Sequence, residues 1–432
     1  MSKYFFQLGV ILVLLVSCNK KETISHRQDY DVYLSDGKVA KEIVGVNTEI
    51  NFWQNRLPKD TGSYVDMLEL ASNHLRLFRL TGNIIALKTG DSLLKRSSAK
   101  LNDTDPEILY SLSQNSIAQH QFLDAARYTN AAREAKGDLY TIRLLQFDVN
   151  MELGKYNEAY ASLQSLKDKS AFDYLVRKAK WEDHTGNLDK AILLMEDAFE
   201  KVKEGKKSLY CWTLSNLADM YGHAGRIEDA YESYLAVLKK DSANLYCLKG
   251  IAWIAYSHDN NTADAKRILK SILTQTEMPE LKLFLAEIAE SEGDEMEKNK
   301  LLHEFITAVT STGYGNMYNK YLIELYASEL KQHNNAHLLA QKELKNRFTP
   351  ETCDWIAWVY YNKGDIKKAF EYASTYVHNR TFEPQATMHT AFIYAAIGKK
   401  EEAKEMFKEC LTSSFELGPV ATREIELKLQ SL

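Results

Sequence analysis

The sequence predicts an all-α fold built as an array of antiparallel helix pairs, and three observations carry that prediction. A turn residue followed five positions later by alanine recurs along most of the 432-residue chain. A small side chain stands seven positions before most of these turn residues. Only six prolines and 19 glycines occur, and glycine falls mostly at the turns, as an all-helical chain requires.

The turn anchors are His120, Gly154, Gly186, Gly225, Asn260, Gly293, Asn335, Gly364 and Gly398. Five residues on stand Ala125, Ala159, Ala191, Ala230, Ala265, Lys298, Ala340, Ala369 and Ala403, with lysine the one departure. Anchor spacings of 29 to 42 average about 35 residues, a period that marks a repeat array rather than a single compact core.

Taken in order, the chain opens on Lys3 and a 13-residue apolar run, residues 4–16, too short to span a bilayer as a permanent helix. The run ends Leu15-Val16-Ser17-Cys18 and drops into polar Asn19-Lys20-Lys21. This resembles the bacterial lipoprotein signal, in which a leucine and a small residue lead into cysteine. The resemblance implies loss of residues 1–17, fatty acylation of Cys18 as with palmitate, and attachment to an envelope membrane through lipid alone. An ordinary signal peptide with an incidental cysteine is the alternative. No Asp follows Cys18, which leans toward the outer membrane. Residues 18–50 are polar without a sustained period and read as a tether.

Residues 51–104 read as a divergent helical hairpin, with Leu68 to Leu80 leading to Gly82 and a second helix following. Residues 105–416 hold about nine repeats. In one of them, Leu214, Leu217, Ala218 and Tyr221 form the apolar stripe of a first helix. Gly225 supplies the positive φ that stops it. Ile227, Ala230, Tyr231, Tyr234 and Val237 form the stripe of the second helix. Each helix is too short to stand alone in water, so stacking on neighbours stabilises it. Ser113, Ala179, Ala218, Ala286, Ser328, Ala357 and Ala391 precede their anchors by seven and fall where the two helices cross. Phe147 and Trp253 depart from that rule. Small residue, turn and alanine over a helix–turn–helix unit resemble the tetratricopeptide repeat, which implies a superhelical solenoid. Residues 417–432 are expected to form a capping helix, although Ile425, Leu427 and Leu429 alternate as a strand would.

The resemblance implies a concave groove lined by the first helix of each pair. Positions expected to face it carry His184, His223, His258 and His333, with Asp148, Asp183, Asp219, Glu287 and Glu290 beside them. Trp212, Trp358 and Tyr361 enter the same stripe, as anchors of a binding surface or as core. A row of histidines and carboxylates suits a peptide groove tuned near neutral pH. Histidine in the last helical turn also favours the negative helix end. The 310–321 stretch reads either as a binding insertion or as a loop that tolerates length.

Cys211, Cys247, Cys353 and Cys410 fall singly on separate helices and read as buried thiols, with no zinc spacing. No metal or cofactor is implied, and no nucleophile elbow, phosphate loop or zinc-protease motif occurs. A net charge of −5 without basic clusters excludes nucleic acid as an expected partner. The expectation is a non-enzymatic scaffold, held to a membrane by its N-terminal lipid and presenting its groove to a protein or extended peptide. A glycan- or nutrient-binding lipoprotein beside a transporter is the rival, and it lacks the long insertions such a site needs.

Overall fold

The computed structural model describes residues 23–34, 37–57, 63–311 and 313–432. The expected signal peptide and Cys18 lie outside the described residues. Two helices lead, α1 (Arg27–Leu34) and α2 (Lys38–Arg56). Helix pairs follow: α3 and α4 (Tyr64–Thr81, Ile84–Lys100), α5 and α6 (Pro106–Ala118, Phe122–Glu134), α7 and α8 (Leu139–Glu152, Tyr156–Gln164). Next come α9 and α10 (Phe172–His184, Leu188–Val202), α11 and α12 (Lys207–His223, Ile227–Lys240), α13 and α14 (Leu245–Trp253, Thr262–Leu273). The rest are α15 and α16 (Glu280–Glu292, Glu295–Ser311), α17 and α18 (Asn319–Glu324, His333–Asn346), α19 and α20 (Pro350–Asn362, Ile366–Tyr372), α21 and α22 (Pro384–Ala396, Lys400–Thr412), closed by α23 (Ser414–Ser431). The π turns Ile254–His258, Leu325–Glu329 and Ala373–Val377 prolong α13, α17 and α20.

The pairs form for the reason the repeat suggests. Ala125, Ala159, Ala191, Ala265, Ala369 and Ala403 are fully buried, so paired helices meet at a contact that a larger side chain would wedge apart. Ser113 sits on the same crossing and donates its hydroxyl to the carbonyl of Ala125 at 3.0 Å. Eight expected anchors, from His120 (φ 54) to Gly398 (φ 90), adopt the left-handed conformation.

Asn335 does not. It lies inside α18, and the turn is made by Lys331 (φ 54). Five residues after Lys331 comes Ala336, fully buried, so the expected register is four residues late. Ser328 consequently leaves the crossing, where its neighbour Ala327 is buried instead. Trp253 departs for a related reason. The π turn after it adds a residue to the helix, and Ala252, one position earlier, is the fully buried small residue.

Beyond the pairs, the array returns on itself. The backbone N–H of Glu277 donates to the carbonyl of Thr81 at 2.7 Å, and Asn83 reaches the Glu277 carboxylate across 194 residues. Asn316 donates to the His120 carbonyl across 196 residues, and Arg347 pairs with Glu152 across 195. Near-constant separation means the superhelix completes one gyre in that length and stacks the next upon it. Residues 313–321 of the expected 310–321 insertion serve this stacking. Tyr314 is buried and donates its hydroxyl to the Gly82 carbonyl, so the stretch is a strap between gyres.

Both ends differ from expectation. Where the expected tether 18–50 is described, it is mostly helix, α1 and the start of α2. Val39, Val46 and Ile50 make a buried helical stripe, and Tyr30 is fully buried. Ahead of α1, the backbone N–H groups of Ile24 and Ser25 donate to the Asp259 carboxylate at 3.0 and 2.9 Å. Arg27 pairs with Asp264, and Asp31 with Arg267. Phe52 and Trp53 belong to α2 rather than to the following hairpin. At the other end, α23 is helical, not a strand, with a kink at Gly418 (φ 81, ψ 169) ahead of Pro419. Its Ile425 is buried with Met388, Phe392 and Phe407 of the last pair. It also reaches α11, α15 and the π turn after α13.

Candidate functional site

The inner face of the second gyre encloses a cavity of about 1050 Å³. First helices α11, α13, α15, α17, α19 and α21 form its wall, and α23 closes one side. Wall and closing helix are bonded directly: Trp253 Nε1 and Ser257 Oγ both donate to the Phe415 carbonyl, at 2.9 and 2.8 Å. Gly222 and Gly418 allow this approach, because a Cβ on either would fall within 3 Å of Phe415 or of the Glu287 carboxylate.

Six of the expected groove residues line the cavity: Asp219, His223, Glu287, Glu290, Trp358 and Tyr361. Asp219 accepts hydrogen bonds from the hydroxyls of Tyr234 and Tyr246. Burial raises its pKa, and the two hydroxyls only partly offset this. His223 lies 3.7 Å from Glu416 of α23. Burial drives Glu287 up to about 7, and Glu290 on the same helix adds to the rise. Trp358 and Tyr361 stack with centroids 4.8 Å apart and planes 10° apart, and the Trp358 indole donates to Ser328 Oγ at 2.9 Å.

The other six lie elsewhere. Asp148 is paired with Arg177 at 2.6 Å. His184 packs on Tyr156 at 4.2 Å, under the loop where Phe382 of the second gyre covers Gly186. Asp183 is exposed at the end of α9, where partial desolvation raises its pKa against the opposing effect of His223. His258, inside its π turn, faces Asp259 at 2.8 Å and thus the N-terminal segment. His333 begins α18 rather than ending a helix. Trp212 is 46% exposed, with its ring 6.3 Å from that of Phe172.

Several cavity residues escaped the sequence pattern. Lys298, which replaces the crossing alanine, is buried and bridges Glu290 and Glu329 at 2.9 Å each. Burial alone would lower its pKa, and the two carboxylates more than reverse that. His389 is stacked on Trp358 at 4.0 Å and lies 2.9 Å from Asp354. Glu383 and Glu424 are raised, chiefly by burial. Trp253 and Lys298, two of the departures from the repeat, both line the cavity. A broken repeat position is therefore a usable signal.

All four cysteines at positions 211, 247, 353 and 410 are free and buried. Among the described residues, no three His, Cys, Asp or Glu side chains are grouped to hold a metal ion. No helix of the described residues is long and apolar enough to cross a membrane.

Residues 389–416, from the middle of α21 through α22 to the start of α23, match the tetratricopeptide repeat family. No curated protein matches this chain in sequence. Among solved structures, the chain is similar to the Cut9–Hcn1 hetero-tetramer of APC/C, at 13% identity and a TM-score of 0.48, over 89% of this chain and 79% of that one. It is also similar to a tetratricopeptide repeat protein from Parabacteroides merdae, at 16% identity and a TM-score of 0.35, over 61% and 98%. Yeast Tom70 aligns at 13% identity with a TM-score of 0.34, over 94% and 97%. The helix-pair geometry and the match at the last pair agree on a solenoid of tetratricopeptide type.

Proposed function

We propose that this solenoid is a non-enzymatic scaffold that holds a protein or peptide partner on the inner face of its second gyre. One observation carries the reading. That face already holds a helix, α23, which lies against α11, α15 and the π turn after α13 much as a partner's segment would. Aromatic faces and charged groups remain around it, a composition suited to anchoring a partner. The attachment we propose is a lipid on Cys18, with the outer membrane of a bacterial envelope as its location. Both rest on the Leu15-Val16-Ser17-Cys18 run.

Two measurements test this. A photo-crosslinking amino acid at Tyr361, inside the cavity, should yield adducts in cells, whereas one at Leu193, 61% exposed on α10, should yield none. Equal adducts from both positions would remove the inner face from consideration. Separately, a fatty-acid analogue should label the wild type but not Cys18→Ala, and that variant should leave the membrane fraction. An unlabelled wild type rules out the lipid.

A further inference from the structure

We propose that the cavity binds a cation of organic type, the ammonium or guanidinium of a basic peptide, among Glu287, Glu324, Glu383 and Glu424. The inference rests on the partner-binding reading and names the chemistry that the inner face takes.

Charge is the first argument. Nine carboxylates line the cavity against three lysines. Lys298 is occupied by Glu290 and Glu329, His223 faces Glu416, and His389 is held by Asp354, outside the lining. Asp219 and Glu280 are served by tyrosine hydroxyls. Glu287, Glu324, Glu383 and Glu424 remain, with no cation within 4 Å among the described residues. Lys320 makes no ion pair at that distance, and its charge offsets Glu324 and Glu383 only in part.

Burial is the second argument, and it separates Glu287 and Glu324 from a solvated acidic face, with Glu383 and Glu424 exposed at the rim. Glu287 Oε1 and Glu324 Oε1 are shut off from solvent and have no hydrogen-bond partner. An unpaired carboxylate in such a place is unfavourable until a cation or a proton reaches it. Protonation is one relief, and burial accordingly raises the pKa of Glu287 to about 7 against the hydrogen bond from Tyr256. A cation entering the cavity does the same task with the carboxylates ionised.

Shape is the third. Trp358 is sandwiched between Tyr361 and His389, which leaves the outer side of the Tyr361 ring and the Trp253 indole among the cavity's aromatic surfaces for a cation. The acids are spread around the wall rather than gathered for a metal, which suits charges distributed along a chain. A volume of about 1050 Å³ admits several residues rather than one side chain.

The test is calorimetry on the full chain in detergent. The probes are acetyl-Gly-Lys-Gly-Lys-Gly-amide, its arginine counterpart, its ε-acetyl-lysine counterpart and free spermidine. The lysine or arginine peptide should bind saturably and weaken with added salt, and acetylation of the lysines should weaken binding about tenfold or more. Glu287→Gln and Glu424→Gln should each weaken the peptide about threefold or more without lowering the melting temperature, since the first removes a buried, poorly paired charge and the second alters an exposed position. Equal binding of the acetylated peptide, or no saturable binding of any cation, overturns the inference. Spermidine binding more tightly than both peptides overturns the peptide as the source of the cation. If Tyr361 still yields adducts while every cationic probe fails, the scaffold reading survives and this inference does not.

Discussion

Glu287 shows how one residue can record the state of a site. Its folded pKa of about 7 lies above the 4.5 of a free carboxyl, so folding takes up a proton between those values. Stability contributed by this group is therefore complete below pH 4.5 and falls as pH rises through 7. Thermal melts of Glu287→Gln and wild type should coincide near pH 4 and separate by pH 8, with the variant the more stable. Coincident melts at both values would show that the carboxylate is relieved in some other way. The histidine row shows why side-chain direction was only partly legible in the sequence. Spacing placed His223 correctly on the inner face, but His258 sits in a π turn, where an added residue rotates the downstream side chains by about 100°. His184 keeps the expected helix end, yet the second gyre covers it, and nothing local encodes that cover.

At the level of the element, the helix pair was legible because its contact is local. Ala230 lies 1% exposed where α11 meets α12, and Ala230→Leu should cost roughly 1–3 kcal/mol through overpacking. Chemical denaturation measures the loss, which should extend to the neighbouring pairs that stack on it. Lys298 breaks the same rule with a different outcome. It is buried and bonded to two carboxylates, so Lys298→Met should destabilise the chain by about 3 kcal/mol, by leaving both acids unpaired. Adding Glu290→Gln and Glu329→Gln should recover most of that loss. A triple variant no better than the single one would mean that the lysine stem, and not its charge, fills the space. The capping helix α23 was legible as an end cap, although the alternation of Ile425, Leu427 and Leu429 also fitted a strand, and its reach across to α11 depends on the curvature of the whole array.

That curvature is a property of the molecule as a whole, and two glycines isolate it. Gly154 and Gly225 occupy equivalent turns, with φ 73 and 74. A Cβ on Gly225 meets nothing within 4 Å, but on Gly154 it would lie 2.3 Å from the carbonyl oxygen of Phe348 in the next gyre. Gly225→Ala should cost only the left-handed strain, about 1 kcal/mol. Gly154→Ala should cost about 3 kcal/mol, because strain and gyre contact fail together. Equal losses in urea titrations would mean that the gyres do not press on each other in solution. Stacking of this kind was invisible in the sequence for a clear reason. Its partners, such as Asn316 with His120 and Arg347 with Glu152, are some 195 residues apart, and a period of about 35 specifies neighbours only.

The bonding of Ile24 and Ser25 to Asp259 sets the length of the leash. Five residues separate Cys18 from Ile24, and the connection can reach at most about 20 Å. With a lipid on Cys18, the edge formed by α12 and α14 cannot wander far from the headgroups, so the leash sets which edge of the array stays beside the membrane. Asp259→Ala would release the slack of α1 as well. A dye on Lys270 should then lose its quenching by headgroup-labelled lipid, while the protein stays in the membrane fraction.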